Sequence, residues 1–231
     1  MESLSTRTNT KEQLDNLNLD GIKLHEILQE LEFINKYFGN TRSIIKAITN
    51  LATPNIKIVD LGCGGGDIAR AVAKHLCGRG VDFHYLGIDG NPATINYAQQ
   101  KSIKYPQIEF VVNDIFEDSF RVPQCDILLS SHFMYHFSNK QLIDFINKHS
   151  HKVQQAIIFS ELKRSRTAYI LFQIGTRILN LSKITREDGL LALRRAFSKK
   201  ELQRIAEQCK SNKYFNLQNK WAFRQLLTIY R

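Results

Sequence analysis

Four short segments carry residue types that can do chemistry. The first runs from Val59 to Asp67, Val-Asp-Leu-Gly-Cys-Gly-Gly-Gly-Asp. Its glycines let backbone and ligand approach without Cβ clashes, and the helix that follows turns its N–H groups toward whatever is bound. A dinucleotide turn of the G-x-G-x-x-G type needs glycine or alanine at position 67. Asp67 stands there instead, where a carboxylate repels a pyrophosphate and attracts a cation, and Asp60 adds a second negative charge. The second segment is Gly87-Ile88-Asp89-Gly90-Asn91-Pro92, whose acid can accept from both hydroxyls of a ribose. In the third, Asn113-Asp114-Ile115, Asp114 can accept from an adenine amino group while Ile115 packs on the ring. The fourth, Ser130 to Phe137, sets His132 and His136 among aromatic residues. Either histidine can take the proton of a phenol or enol.

The elements that must position these segments follow from periodicity. Residues 22–51 read as helical, with Leu24, Ile27, Leu28, Leu31 and Ile34 at three- and four-residue spacing and a second helix after Thr41. Ile56–Leu61 is a strand, and a helix from Asp67 through Leu76 comes next. Phe83–Ile88, Glu109–Val112, Cys125–Ser130 and Gln155–Ser160 are further strands. The helices between them open at Pro92 and at a Ser138/Gln141 capping box. A second capping box at Ser198 and Glu201 starts the final helix, and Tyr214–Asn219 and Phe223–Tyr230 close the chain as a hairpin. Strict β–α alternation requires a doubly wound parallel sheet with helices on both faces, and the short last connection requires antiparallel pairing. The whole of 1–231 reads as one α/β domain, with N-terminal helices over 22–51 and a helical lid inserted after the fifth strand over 161–197.

In this order, the segments between 56 and 137 resemble the successive nucleotide-site motifs of class I S-adenosylmethionine-dependent methyltransferases. The resemblance implies a seven-stranded, mostly parallel sheet with an antiparallel last strand, and S-adenosyl-L-methionine as cofactor. It implies that Asp60, Gly62 and Gly64 line the methionine half beside Asp67. Asp89, with Gly90 and Asn91, would hold the ribose, and Asp114 and Ile115 the adenine. Ser130 would close the site from the fourth strand. Arg42, on the helix before the first strand, would meet the methionine carboxylate. The Asn/Asp-Pro-Pro-aromatic signature of amino-group methyltransferases is absent at 130–137. The segment is similar instead to its counterpart in small-molecule O- and C-methyltransferases, with His132 and His136 as candidate bases. Leu31 to Asn35, the insertion with its Arg-Ala-Phe (195–197), and Trp221-Ala222-Phe223-Arg224 resemble the pigment- and polyketide-pathway subgroup. Asn35, Tyr135, Arg186, Asp188 and Arg194 are then the candidate acceptor contacts.

The charge pattern agrees with an acidic partner. Thirty-two Lys/Arg against 22 Asp/Glu give a net +10, but the excess is regional. Residues 161–200 hold ten bases and three acids, whereas the first 55 hold six and seven. The expected acceptor is therefore a hydroxyl, less readily a carbon, of a small aromatic or polyketide-like acid, free or on an acidic carrier protein. An RNA or protein methyltransferase and a non-catalytic cofactor-binding subunit are the alternatives. No aromatic-rich basic stripe favours nucleic acid. Cys63, Cys77, Cys125 and Cys209 lie far apart, without metal-ligand spacing, and read as reduced, mostly buried thiols. No metal is expected. With no signal-like start and no apolar run of about 20 residues, the expected location is the cytoplasm.

Overall fold

A computed structural model describes residues 4–210 and 213–231. Helices α1 (Gly21–Tyr37) and α2 (Asn40–Thr49) precede a sheet built from β1 (Ile56–Leu61), β2 (Phe83–Asp89), β3 (Ile108–Val112), β4 (Cys125–Ser131) and β5 (Val153–Leu162). The crossovers are α3 (Asp67–Cys77), α4 (Pro92–Lys101) and α5 (Asn139–His149). After β5 come α6 (Arg166–Ile178), α7 (Lys183–Arg195) and α8 (Lys199–Gln208), then β6 (Tyr214–Lys220) and β7 (Arg224–Tyr230). The strand order is β3-β2-β1-β4-β5-β7-β6. β1 to β5 are mutually parallel, and β7 runs antiparallel to both β5 and β6. That is the doubly wound, seven-stranded arrangement expected, including its antiparallel end. Among the described residues no helix is long and apolar enough to cross a membrane.

Both expected capping boxes form, at Ser138/Gln141 and Ser198/Glu201. The central strands are buried on both faces, which is why β1 and β4 read as continuous apolar runs rather than alternating ones. One core lies between the sheet and α5 and α8, around Leu128, Phe159 and Phe197. The other lies between the sheet and α2 to α4, around Ile58, Tyr85 and Ile127. Cys63, Cys125 and Cys209 are buried free thiols and Cys77 is an exposed one. The insertion folds as the α6–α7 pair, and the absence of a Cβ at Gly189 makes room for the Phe172 ring, which a Cβ there would meet at 2.2 Å.

The reversal of crossover direction at β1 and β4 opens a crevice at the carboxyl ends of these strands. Its floor depends on glycines. At Gly87, in mid-strand, an added Cβ would lie 2.6 Å from the Phe110 ring and 2.9 Å from the Cys63 sulfur, both of them buried side chains. Gly87→Ala is expected to destabilise the protein by about 1–3 kcal/mol through overpacking. An unchanged urea midpoint would show that the β2–β3 floor is looser than its contacts imply.

Candidate functional site

One cavity of about 1620 Å³ occupies the crevice, roofed by α6, α7 and the N-terminal segment. Single-ligand pockets span roughly 300–1,000 Å³, so there is room for two molecules. Its β1–β2 side is built from the glycine turn. Gly62 (φ 70°) and Cys63 donate their N–H groups to the Ile88 carbonyl at 2.8 and 3.0 Å, which ties the turn to β2. Gly66 (φ 72°) caps α3 in the left-handed conformation that glycine adopts without strain. A Cβ at Gly62 would lie 2.4 Å from the Phe133 ring.

Three acids face this side. Asp60 is buried, and its Oδ2 accepts from the Tyr85 hydroxyl at 2.7 Å. Its Oδ1 has no partner, and burial pushes its carboxyl up to about 8 against the help of that hydrogen bond. Asp67 accepts from the Asn35 amide at 3.0 Å and is likewise raised by burial. Asp89 accepts from the N–H groups of Gly64 (3.1 Å) and Asn91 (3.0 Å) and is still raised by burial. An orphaned buried carboxylate oxygen, two further acids and a glycine cradle suit a cationic ligand and reject a pyrophosphate. Asp114, Ile115 and Gly90 line the same cavity, where Asp114 fixes its own turn by accepting from Phe116 N–H at 2.9 Å.

Asn35 does not meet the cavity alone. Asn40, fully buried, donates to Asn35 (3.0 Å) and to Ser131 (2.8 Å) and accepts from Ser160 (2.6 Å). This chain runs from β5 to Asp67 and orients Asn35 toward the acid. Asn40 escaped sequence reasoning because it sits at a helix start, where asparagine is ordinary.

At the ends of β4 and β5, His132 takes a left-handed backbone (φ 54°). Its ring lies against the Arg224 guanidinium, within hydrogen-bond contact of Nε2. Burial, and then Arg224, hold this imidazole well below its ordinary range. His136 Nδ1 receives Arg195 Nη2 at 2.8 Å and lies 3.3 Å from Asp15. Burial first, then Arg195, lowers it to about 4. Guanidinium nitrogens only donate, so each histidine spends its lone pair on an arginine and keeps its hydrogen on the other nitrogen. This geometry speaks against the proton-accepting role expected for His132 and His136.

The N-terminal segment, featureless in sequence, straps the opening. Arg7 donates to the carbonyls of Tyr135, Phe137 (2.9 Å) and Arg195 (2.7 Å), and its guanidinium stacks on Phe197 at 4.1 Å. Arg195 bridges Glu12 (3.2 Å) and Asp15 (2.8 Å). Glu12, Asp15 and His136 could by spacing hold a metal ion, but the Arg195 guanidinium already contacts all three.

Several expected contacts are corrected by this arrangement. Arg42 is exposed on α2 and lines a separate shallow groove with Lys46 and Arg79, not the cavity. Ser130 turns its hydroxyl to the Leu61 carbonyl at 2.9 Å, and Ser131, on the opposite strand face, meets the cavity. Arg186 and Arg194 lie outside the cavity lining, and the inward residue of that helix end is Arg195. Asp188 does line the cavity, but its oxygens accept from Gln13 and Leu14 N–H at 2.9 and 3.0 Å, so it anchors the strap. The Asn91 side chain caps α4 through Ala93 and Thr94 N–H. Tyr135 gives its hydroxyl to Glu12 at 3.1 Å rather than to open space.

Residues 58–154 match the family model of the methyltransferase domain. Over these residues, under half of its length, the chain is similar to that domain. S-adenosylmethionine is the cofactor of this domain, and the acid-lined half of the cavity fits it. No curated protein matches the chain in sequence. Among solved structures, a protein from Nostoc punctiforme described as a candidate O-methyltransferase shares 13% identity at a TM-score of 0.61. That match covers 84% of this chain and only 56% of the Nostoc protein, so the chain spans little more than half of it. The magnesium protoporphyrin IX methyltransferase of Synechocystis, with bound S-adenosylhomocysteine, shares 16% over 94% of this chain and 92% of its own, at a TM-score of 0.59. The plantazolicin methyltransferase, solved with a triazolic desmethyl analogue and S-adenosylhomocysteine, shares 15% over 88% and 89%, at 0.65. At these identities the likeness is one of fold.

Two predictions follow from the geometry. Asp89→Ala removes the acid expected at the ribose and should weaken S-adenosylhomocysteine binding by about 1–3 kcal/mol in calorimetry. Equal affinities would remove Asp89 from the site. The second concerns Glu161, fully buried on β5, whose carboxyl accepts from Met134 N–H at 3.0 Å and is pushed by burial from 4.5 up to about 8. The native state therefore keeps a proton that the unfolded chain releases, so stability falls as pH rises through the window from about 4.5 to 8. Glu161→Gln cannot ionise, and its melting temperature should fall less than that of the wild type between pH 5 and 8. Parallel profiles would mean that Glu161 is ionised in the fold.

Proposed function

We propose that the protein transfers the methyl group of S-adenosylmethionine to a hydroxyl oxygen of a small aromatic or polyketide-like acid. The observation that carries this reading is the division of one large cavity. Its β1–β2 end is lined by Asp60, Asp67 and Asp89, and its α6–α7 end by Leu171, Phe172, Leu179 and Leu193. Apolar walls of this kind suit a ring-bearing acceptor and reject a hydrated polymer. When bound, the cofactor would supply a methyl group on a sulfonium; an acceptor oxygen that enters as its anion, its proton left in bulk solvent, would form the O–C bond while the C–S bond breaks and leaves its electron pair on sulfur. The chain's own part is alignment and exclusion of water: the strap held by Arg7 and Arg195 and the α6–α7 lid close over both molecules.

The basic excess of 161–200 bears less on RNA than its charge suggests. Arg164 is spent on Glu201 (3.1 Å) and on the Ala196 carbonyl (2.6 Å), and Arg195 on Glu12 and Asp15. The test is mass spectrometry of a panel of phenolic and enolic acids after incubation with S-adenosylmethionine, beside bulk RNA and an acidic acyl carrier protein. Gain of one methyl group on a member of the panel, free or carrier-bound, is the expected result. Methylation of RNA alone would overturn the reading. Arg186→Ala and Arg194→Ala should leave KM for the acceptor unchanged, because neither residue lines the cavity.

A further inference from the structure

Arg224 is a cation that the fold buries and does not neutralise. It is 2% exposed, opens β7, and pairs in register with Leu162 of β5. Its Nε donates to the Phe38 carbonyl at 3.2 Å and its Nη1 to the ring of His132. Both of those partners are neutral. Its second terminal nitrogen, Nη2, makes no hydrogen bond to a described residue, and Arg224 lines the cavity. Other acids near the cavity are committed. Glu12 and Asp15 hold Arg195, and Glu201 holds Arg164 and caps α8. The acids whose fields reach Arg224 are Asp67 and Glu161, and burial raises both toward their neutral forms. Lys163 and Lys220 add positive charge to the same rim.

The surrounding backbone is arranged to keep Arg224 there. Ala222 and Phe223, the two residues before it, both have φ 57°, and His132 has φ 54°. Ala222 and Phe223 form the tight turn of the β6–β7 hairpin, where successive left-handed residues match the strand twist and fix the start of β7 at Arg224. Lys163 N–H donates to the Phe223 carbonyl at 2.8 Å and His132 N–H to the Ser160 carbonyl at 2.9 Å, pinning both to β5. Both ring nitrogens of His132 face the same Arg224 nitrogen, Nη1. Arg224 Nη2 is thus a charged donor at the ends of β4 and β7, with the His132 ring packed beside it and the cavity in front of it.

We propose that Arg224, held in place by the His132 ring, is the receptor for an oxyanion of the acceptor, a carboxylate or a phenolate or enolate oxygen, which supplies the counterion that the protein lacks. This rests on the methyl-transfer reading for the identity of the acceptor, but not for the existence of the anion site. An acceptor entering as an anion also explains why a buried cation without a partner is tolerated.

The test uses the whole protein and three probes: 2-naphthoate, its uncharged counterpart 2-naphthamide, and 4-nitrophenolate. Binding is read by calorimetry and by quenching of Trp221, the only tryptophan of the chain, which lines the same cavity. The expected result is that at least one of the two anions binds, with naphthamide weaker than naphthoate if the carboxylate is the ligand. Arg224→Met should weaken that anion by about tenfold or more, with naphthamide unchanged. Arg224→Lys should fall between. Preference for naphthoate assigns a carboxylate, and preference for nitrophenolate a phenolic or enolic oxygen. Failure of both anions to bind, equal binding of naphthoate and naphthamide with no binding of nitrophenolate, or undiminished anion binding by Arg224→Met would overturn the proposal. If Arg224→Met does not fold, Arg224→Lys and the wild-type ratio of anion to amide decide. Titration with S-adenosylhomocysteine runs alongside. Its failure with anion binding intact would sink the methyl-transfer reading and leave the anion site standing.

Discussion

Charge buried without a counterion is the constraint on which the rest of this structure depends. At the carboxyl ends of β1 and β2, three acids face one cavity, and Asp60 leaves an oxygen with no partner at all. Across the cavity, Arg224 is buried among neutral groups. Each arrangement works against the empty fold, since burial of an unpaired charge is unfavourable by several kcal/mol and pushes the acids toward their neutral forms. A ligand of opposite sign restores the charged form of the group that it meets. A sulfonium cofactor suits one end and an oxyanion the other. Binding of either then stabilises the native state by mass action.

Keeping such charges apart requires a rigid frame, and the frame is made where side chains are missing. Gly62 admits the Phe133 ring, and Gly66 and Gly87 admit Phe110. These contacts hold the β1 turn, the floor and the β4 exit together. The strap uses a different device. The Arg195 guanidinium sits among Glu12, Asp15 and His136 in the way that a metal ion would. It thereby joins the N-terminal segment to α7 and to the turn after β4. Because arginine is planar and always charged near neutral pH, it holds this cluster in one orientation.

How much of this was legible in the sequence depends on the range over which each residue acts. The β–α alternation was readable because burial on both faces makes parallel strands continuous apolar runs, and Ile56–Leu61 appears at its expected bounds. That Asp60, Asp67 and Asp89 line one cavity was readable because their neighbours in sequence, the turn glycines, set their position. Side-chain direction was harder. Ser130 and Ser131 differ by one residue and face opposite sides of β4, and Arg194 and Arg195 differ by a hundred degrees of helix rotation. Arg42, likewise, is on the wrong face of α2. Arg7 and Glu12 were invisible because their partners lie more than a hundred residues away in the chain and no local pattern marks them, and Arg224, although part of a recognisable segment, gave no sign of its burial.

The histidines and Arg224 together bear on how an acceptor hydroxyl is prepared. A general base needs a free lone pair, and the ring nitrogens of His132 and His136 that could offer one already receive arginine N–H groups. With a conjugate acid near pH 4, His136 would in any case be a poor proton acceptor at neutral pH. A fixed guanidinium acts on the other side of the equilibrium. It favours the ionised form of an oxygen placed beside it, and it does so more strongly in a dry cavity than in water. Methyl transfer from a sulfonium then needs alignment rather than a proton acceptor at the moment of reaction. On this argument the site selects acceptors that already carry, or readily acquire, a negative oxygen, and the aromatic residues around His132 and His136 serve to exclude the water that would otherwise solvate it.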